Sequence, residues 1–291
     1  MGPVSLDSAA VAAVPQSPPQ VCYRHNDRRA GVRCQRCDRP ICPACMHQAS
    51  VGFHCPECAR TGRQKVIPAR ALATKPVVTY ALIAANLAIF VADTLSTGRL
   101  DIMSDQLGEL GRKGALFGPA VAAGDWWRPI TSGFLHIGLL HVGFNMYLLY
   151  LLGMLLEPAI GKASFLALYF LSLLGGSFAV LLYSPNQPTV GASGAVFGLM
   201  AAAFVALRSR GIDPFSTGIG TLLLLNIVLT FALPGISRAG HIGGLLAGAA
   251  GGAIIWWWTP RLSRNSPLPM IVCSALAVAL FAGCLAVAKP V

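Results

Sequence analysis

Ser193 lies between Gly191-Ala192 and Gly194, and it opens an apolar run over residues 195–207. Two other apolar stretches also carry polar side chains: His136, His141 and Asn145 in one, and His241 in the other, between Gly240 and Gly244. A serine at the first turn of a helix sits among backbone N–H groups without helical partners, at the positive end of the helix dipole. A developing oxyanion is stabilised there. A histidine within hydrogen-bond reach would activate the hydroxyl as a nucleophile. Small residues at the end of a membrane helix more often serve close packing, so the serine stretch alone does not decide between the two readings. The elements that would position the histidines decide it.

Those elements are membrane helices. Hydrophobic residues make up 55% of the chain and charged residues only 11%, unlike an ordinary soluble domain. Seven apolar segments, near 77–95, 130–156, 163–183, 192–207, 217–233, 239–258 and 268–288, approach the ~20 residues that span a bilayer. The fold class expected is an all-α polytopic membrane protein. Residues 1–21 are rich in Pro, Ser and Ala and lack the basic-then-apolar pattern of a signal peptide, so insertion is expected to rely on the first helix. With the N-terminus cytoplasmic, sixteen Lys and Arg fall on the inner side and six on the outer, as the positive-inside rule favours. The net charge of +11 would suggest nucleic acid in a soluble protein; its placement here suggests topology, and no nucleic-acid partner is expected.

In that orientation the second, fourth and sixth helices enter from the outer face. They bring His136, His141 and Asn145, then Ser193, then His241, to one level in the outer part of the bilayer. Polar groups at a common depth on three helices mark a function rather than packing. His141 and Asn145 share a helix face at a spacing of four. His136, about 140° round the same helix from His141, is expected to be structural and to bond the outer loop. Gly194 and Gly198 follow the serine, and Gly244 and Gly248 follow His241, so both helices carry small residues at four-residue spacing and can approach closely. No acid is expected at this level, because Glu157 lies at the inner end of its helix. The chemistry available is therefore a Ser–His dyad rather than a triad.

A separate constellation precedes the helices. Cys22-x-x-His25, Cys34-x-x-Cys37, Cys42-x-x-Cys45 and Cys55-x-x-Cys58 are four ligand pairs, enough for two closed tetrahedral zinc sites with bonds of ~2.0–2.3 Å. Few apolar residues lie among them, so metal would supply the folding free energy. Alternate pairing, first with third and second with fourth, gives a cross-braced module, and His47 or His54 could stand in for a cysteine. Seven clustered cysteines cannot close as disulfides alone, and a reducing cytoplasmic location suits thiolate–zinc chemistry. Cys273 and Cys284, in the last apolar segment, read as apolar filler.

Taken together, Trp127-Arg128, His136-x4-His141-x3-Asn145 with Glu157, Gly191-Ala-Ser193-Gly194 and Gly240-His241-x-x-Gly244 resemble the rhomboid intramembrane serine proteases over about residues 77–258. The resemblance implies Ser193 as nucleophile and His241 as general base and acid. It implies an oxyanion hole of His141, Asn145 and the Ser193 N–H, and structural roles for Trp127, Arg128, His136 and Glu157. It also implies a loop at 184–190 lining a watery cavity, and substrate entry past the fifth helix and the Pro234–Arg238 segment. The segmentation expected is a disordered tail (1–21), a cytoplasmic double-zinc module (22–60) and a basic linker (61–76). A six-helix core (77–258) follows, then a seventh helix with the C-terminus (259–291). A small B-box-like zinc module ahead of such a core is similar to an arrangement in bacterial, especially actinobacterial, members. The implied activity is a serine endopeptidase of the plasma membrane that opens to the outside and cleaves membrane proteins in or beside a transmembrane helix. It would need no catalytic cofactor, only two structural zinc ions, and the zinc module would serve a cytoplasmic protein partner. Two rivals are a catalytically silent helix-binding relative, which would be expected to lack Ser193 or His241, and a transporter, which paired intramembrane carboxylates would favour.

Overall fold

A computed structural model describes residues 20–61, 75–97, 107–258 and 266–290 and divides into two compact units, Met1–Leu72 and Ala73–Val291. Almost all of the expected tail, most of the basic linker, and Arg99, Arg261 and Arg264 lie outside the described residues.

In the first unit, β1 (Val32–Arg33) pairs antiparallel with β2 (Pro40–Ile41), and β3 (His47–Gln48) with β4 (Phe53–His54). The short helix α1 (Pro56–Thr61) follows. Its centre consists of Ile41 and the sulfurs of Cys22, Cys34, Cys42, Cys45 and Cys55. One aliphatic side chain and five thiols make no ordinary hydrophobic core, and so small a fold needs a staple.

The second unit is helical. It comprises α2 (Val77–Thr97), three short helices α3 (Glu109–Gly114), α4 (Gly118–Ala122) and α5 (Arg128–Thr131), then α6 (Gly138–Ile160) and α7 (Lys162–Tyr183). There follow α8 (Ser193–Ser209), α9 (Ile219–Ala232), α10 (Arg238–Ala253) with a π turn at Ile254–Trp258, and α11 (Leu268–Val287). Among the described residues, five segments are long and apolar enough to cross a membrane: Val77–Ser96, Gly138–Ile160, Lys162–Tyr183, Arg238–Trp257 and Leu268–Val287. The other two expected segments form shorter apolar helices: α8 keeps about its expected length with 17 residues, and α9, with 14, is shorter than the 217–233 expected. At 1.5 Å per residue α8 is about 26 Å long, short of the ~30 Å hydrocarbon core, so its first residue need not reach the surface.

The second helix also differs from expectation. It starts at Gly138, not near 130, because residues 128–134 form short turns and Leu135 and Ile137 are extended. His136 therefore precedes the helix rather than lying on it, and the angular argument that separated it from His141 lapses.

Close packing sets the positions of the later helices. A Cβ on Gly244 would stand 2.0 Å from the Gly194 carbonyl oxygen, and one on Gly248 would stand 2.2 Å from Gly198 Cα, so α8 and α10 meet backbone to backbone. The other side of α10 meets α7 equally closely, with a Gly243 Cβ 2.4 Å from the Gly175 carbonyl oxygen. Without a hydrophobic drive between helices in lipid, such contact is what holds them together.

Two buried carboxylates tie down helix ends. Glu157, near the C-terminal end of α6, accepts from the N–H groups of Val78 (2.9 Å) and Thr79 (2.8 Å) and from Thr79 Oγ1 (2.7 Å), capping the first turn of α2. Asp93, near the other end of α2, accepts from the N–H groups of Gly108 (3.0 Å) and Gly111 (2.9 Å). An acid thus does occur toward this end of the helices, against expectation, but it is committed to the first turn of α3.

Candidate active site and metal centres

Ser193 is the first residue of α8, so its N–H has no partner within the helix. Backbone bonds fix the approach to it. Leu116 and Thr189 exchange N–H···O bonds of 2.9 Å, Gly118 donates to Pro185 O (2.8 Å) and Gly191 donates to Ser132 O (2.9 Å). Ala192 N–H donates to His136 Nε2 (3.3 Å), which ties His136 to the residue just before α8. Gly191 has φ +128°, and a Cβ there would lie 2.9 Å from both Cε1 and Nε2 of His141. Only glycine combines that conformation with room for the His141 ring.

His141 Nδ1 accepts from the Ile137 N–H (3.4 Å), which leaves a neutral ring carrying its proton on Nε2, toward Gly191. Asn145, one turn further on and buried, donates to the His141 carbonyl (2.9 Å). The rings of His136 and His141 meet edge to face with centroids 5.0 Å apart.

From the opposite side, His241 Nε2 lies 2.8 Å from Ser193 Oγ. Its ring stacks on Phe197, one turn after the serine on α8, with centroids 4.0 Å apart and an interplanar angle of 21°. The other ring nitrogen, Nδ1, lies 2.7 Å from Thr230 Oγ1 on α9. Sequence reasoning missed both neighbours. Phe197 is four residues from Ser193, and Thr230 is four from Asn226 in an otherwise apolar helix, so a spacing signal existed for each. A cavity of about 30 Å³ bordered by Ser132, Ser177, Gly191, Ser193, Ser237 and Gly240 reaches the serine. At ~10–15 Å³ per water it has room for two or three.

Trp127 and Arg128 hold the segment between α3 and α5. Arg128 pairs with Asp125 (2.7 Å) and donates to the carbonyls of Arg112 (3.0 Å) and Ala115 (2.8 Å), at the C-terminal end of α3. Trp127 Nε1 donates to Lys113 O (3.3 Å). Glu157 is near neither, being at the far end of α6.

In the first unit the eight ligand residues form two groups, Cys22/His25/Cys42/Cys45 and Cys34/Cys37/Cys55/Cys58, with the donor atoms of each group within 4.8 Å of one another. This is the alternate pairing; His47 and His54 face each other in the β3–β4 ladder and belong to neither group. His25 Nδ1 lies 3.3, 3.5 and 3.8 Å from the sulfurs of Cys45, Cys42 and Cys22, and the Cys37 and Cys55 sulfurs are 3.7 Å apart. Donors on a tetrahedron with bonds of ~2.0–2.3 Å stand ~3.3–3.8 Å apart, so both groups fit a metal ion such as zinc. Burial opposes ionisation of Cys22, but backbone bonds at Arg24 and Cys42 outweigh it and hold the thiol at about 6. Backbone bonds at Cys55 and Arg36 likewise hold Cys34 at about 6 against burial. Burial and the neighbouring Cys22 and Cys42 push Cys45 up, while Cys55 and burial push Cys58 up. Crowded thiolates of this kind are what a divalent cation neutralises.

Residues 123–258 match a family described as Rhomboid domain. The chain is 36% identical over 177 residues to Rhomboid protease GluP of Bacillus subtilis (strain 168), an alignment covering 60% of this chain and 34% of that protein. It is 34% identical over 143 residues to Rhomboid-like protease 1 of Toxoplasma gondii, covering 46% and 49%. It is 31% identical over 126 residues to Inactive RHOMBOID-like protein 8 of Arabidopsis thaliana, covering 42% and 36%. The chain thus spans between about a third and a half of the length of these relatives. Residues 123–258 thus resemble a rhomboid domain, and the five long apolar segments support a multi-pass membrane protein.

Proposed function

We propose that the rhomboid domain of this chain is an intramembrane serine endopeptidase. The observation that carries the proposal is the 2.8 Å contact between Ser193 Oγ and His241 Nε2, made by helices whose glycines let them meet backbone to backbone. Ser193 Oγ attacks the scissile carbonyl carbon while His241 Nε2 takes its proton. The oxyanion is met by the Ser193 N–H, with His141 and Asn145 as the further donors. Collapse expels the amine, which takes the proton from His241. A water drawn from the cavity beside Ser193 then hydrolyses the acyl-enzyme with the same base.

The substrate is a membrane protein cut in or beside a transmembrane helix. A helical backbone keeps its carbonyls bonded, so the segment must unwind locally before attack. No cofactor enters these steps. The two Cys/His groups hold structural zinc, with no ligand position left open for chemistry. With the basic segments inside, the zinc module is cytoplasmic, where it serves a protein partner, and the site opens to the outer side of the plasma membrane. The module ahead of the core favours a bacterial, actinobacterial-type protein.

The existence of a relative named inactive makes a silent helix-binding protein the second reading. Ser193 and His241 in contact speak against it. A fluorophosphonate probe should label the full chain in detergent, and not its Ser193→Ala or His241→Ala variants. The same variants should fail to cleave a membrane-spanning substrate in liposomes. A Ser193→Ala protein that cleaves undiminished would overturn the serine mechanism.

A further inference from the structure

The contact on the far side of the histidine ring is not explained by the dyad alone. α9 is the least embedded of the long helices near the site: only Gly220, Asn226 and Thr230 along it are buried, while Leu224, Leu225, Val228 and Phe231 are exposed. Two of its three buried residues are polar, and they are one turn apart. Asn226 turns back on its own helix, donating Nδ2–H to Leu222 O (2.8 Å). Thr230 Oγ1 lies 2.7 Å from the Asn226 carbonyl and 2.7 Å from His241 Nδ1, and its side chain is only 1% exposed.

One hydroxyl proton must serve these two contacts. The Asn226 carbonyl can only accept, so the Thr230 O–H donates to it, and the threonine oxygen is left to accept from His241. His241 then carries its proton on Nδ1. A neutral imidazole protonated there presents a lone pair at Nε2, the atom 2.8 Å from Ser193 Oγ. The opposite tautomer would aim N–H at the serine and could not accept its proton.

Resting on the peptidase reading above, we propose that Thr230 is the positioning residue of the site: it selects the Nδ1–H tautomer of His241 and so makes Nε2 a base. It does from a neutral hydroxyl part of what a buried aspartate does in a Ser-His-Asp triad. A hydroxyl holds the tautomer without placing a second ionisable group in the apolar interior. Because it stands on α9 while Ser193 stands on α8 and His241 on α10, the base is set only when α9 is seated.

The test compares the full chain with Thr230→Val, which keeps the shape but removes the hydroxyl, and Thr230→Ser, which keeps the hydroxyl. Thr230→Val should lower kcat by about tenfold to a hundredfold, within the range expected of a general base, with KM changed by less than about twofold. Thr230→Ser should recover most of the rate. Imidazole nitrogen NMR of His241 in detergent should report the Nδ1–H form in the parent and in Thr230→Ser, and the Nε2–H form or a mixture in Thr230→Val. Full kcat in Thr230→Val, a loss confined to KM, or an unchanged tautomer would each overturn the inference. If the parent neither cleaves substrate nor takes up a fluorophosphonate, the peptidase reading fails instead, and the NMR comparison still decides the tautomer.

Discussion

Gly248 meets Gly198 so closely that a Cβ on it would stand 2.2 Å from the Gly198 Cα and carbonyl oxygen. On the same two helices Ser193 lies a little over one turn ahead of Gly198, and His241 about two turns ahead of Gly248. The length of the Ser193–His241 bond is therefore set by backbone contact below it rather than by the two side chains alone.

Gly248→Ala should force α8 and α10 apart. Overpacking of this kind costs about 1–3 kcal/mol, and here backbone cannot yield as a flexible side chain would. A lower unfolding temperature in detergent, and loss of kcat well beyond the loss of folded protein, are expected. Gly143→Ala is the control, because a Cβ there meets nothing within 4 Å. It should be neutral or stabilising by up to about 1 kcal/mol through helix propensity. Equal damage from both substitutions would remove the packing argument.

Much of this site is legible in the sequence because membrane helices expose polar exceptions. Ser193, His141, Asn145 and His241 stand out in apolar runs, and their order along the chain fixes their depth. What was not legible depended on backbone detail. The apolar stretch after Pro129 reads as one helix, yet Gly133 and Gly138 let it break, Gly138 with φ +71°, and so His136 falls in an extended segment where its Nε2 can meet the Ala192 N–H. The spacing of Thr230 from Asn226 is legible, but it does not single the residue out, because a threonine in an apolar helix usually bonds its own i−4 carbonyl. It does so here, and the second contact, to His241, becomes visible only when α9 and α10 are placed together. In the zinc module the four pairs are plain in the sequence, but their alternation is a property of the two hairpins that bring them together.

His141→Ala and Asn145→Ala should act on turnover rather than binding. His141 presents Nε2 toward Gly191, and Asn145 is buried one turn away, bonded to the His141 carbonyl. Donors that meet an oxyanion act chiefly in the transition state, and loss of one costs about 2.7–4 kcal/mol. Single-turnover cleavage in liposomes should show kcat falling with KM nearly unchanged. A pure rise in KM would assign these side chains to substrate docking.

Glu157→Ala should separate stability from chemistry. The substitution strands the buried N–H groups of Val78 and Thr79, at about 1–3 kcal/mol for a buried donor left unsatisfied. Glu157 is sixteen residues beyond His141 on α6, about 24 Å along the axis. Thermal unfolding in detergent should shift down while kcat per active site, counted by fluorophosphonate titration, stays the same. A fall in kcat without a shift in unfolding would mean that α2 is coupled to the dyad.

The cysteine-rich unit should be dispensable for the chemistry, whereas bound metal should be indispensable for that unit's own fold. Its centre is Ile41 and five thiols, so its stability must come from metal. Native mass spectrometry of the full chain should find two zinc ions, with Cys42→Ala and Cys34→Ala each removing one, since each belongs to a different group of four. Loss of both ions from a single substitution, or one ion in the parent, would refute two independent sites. A strong chelator should strip the metal and expose the module to limited proteolysis between residues 20 and 61. Fluorophosphonate labelling of Ser193, and cleavage by a shortened chain beginning at Thr74, should survive because both ligand groups found among the described residues lie within Met1–Leu72. Abolition of cleavage by the chelator, with the helical unit still folded by circular dichroism, would instead place the metal in the reaction.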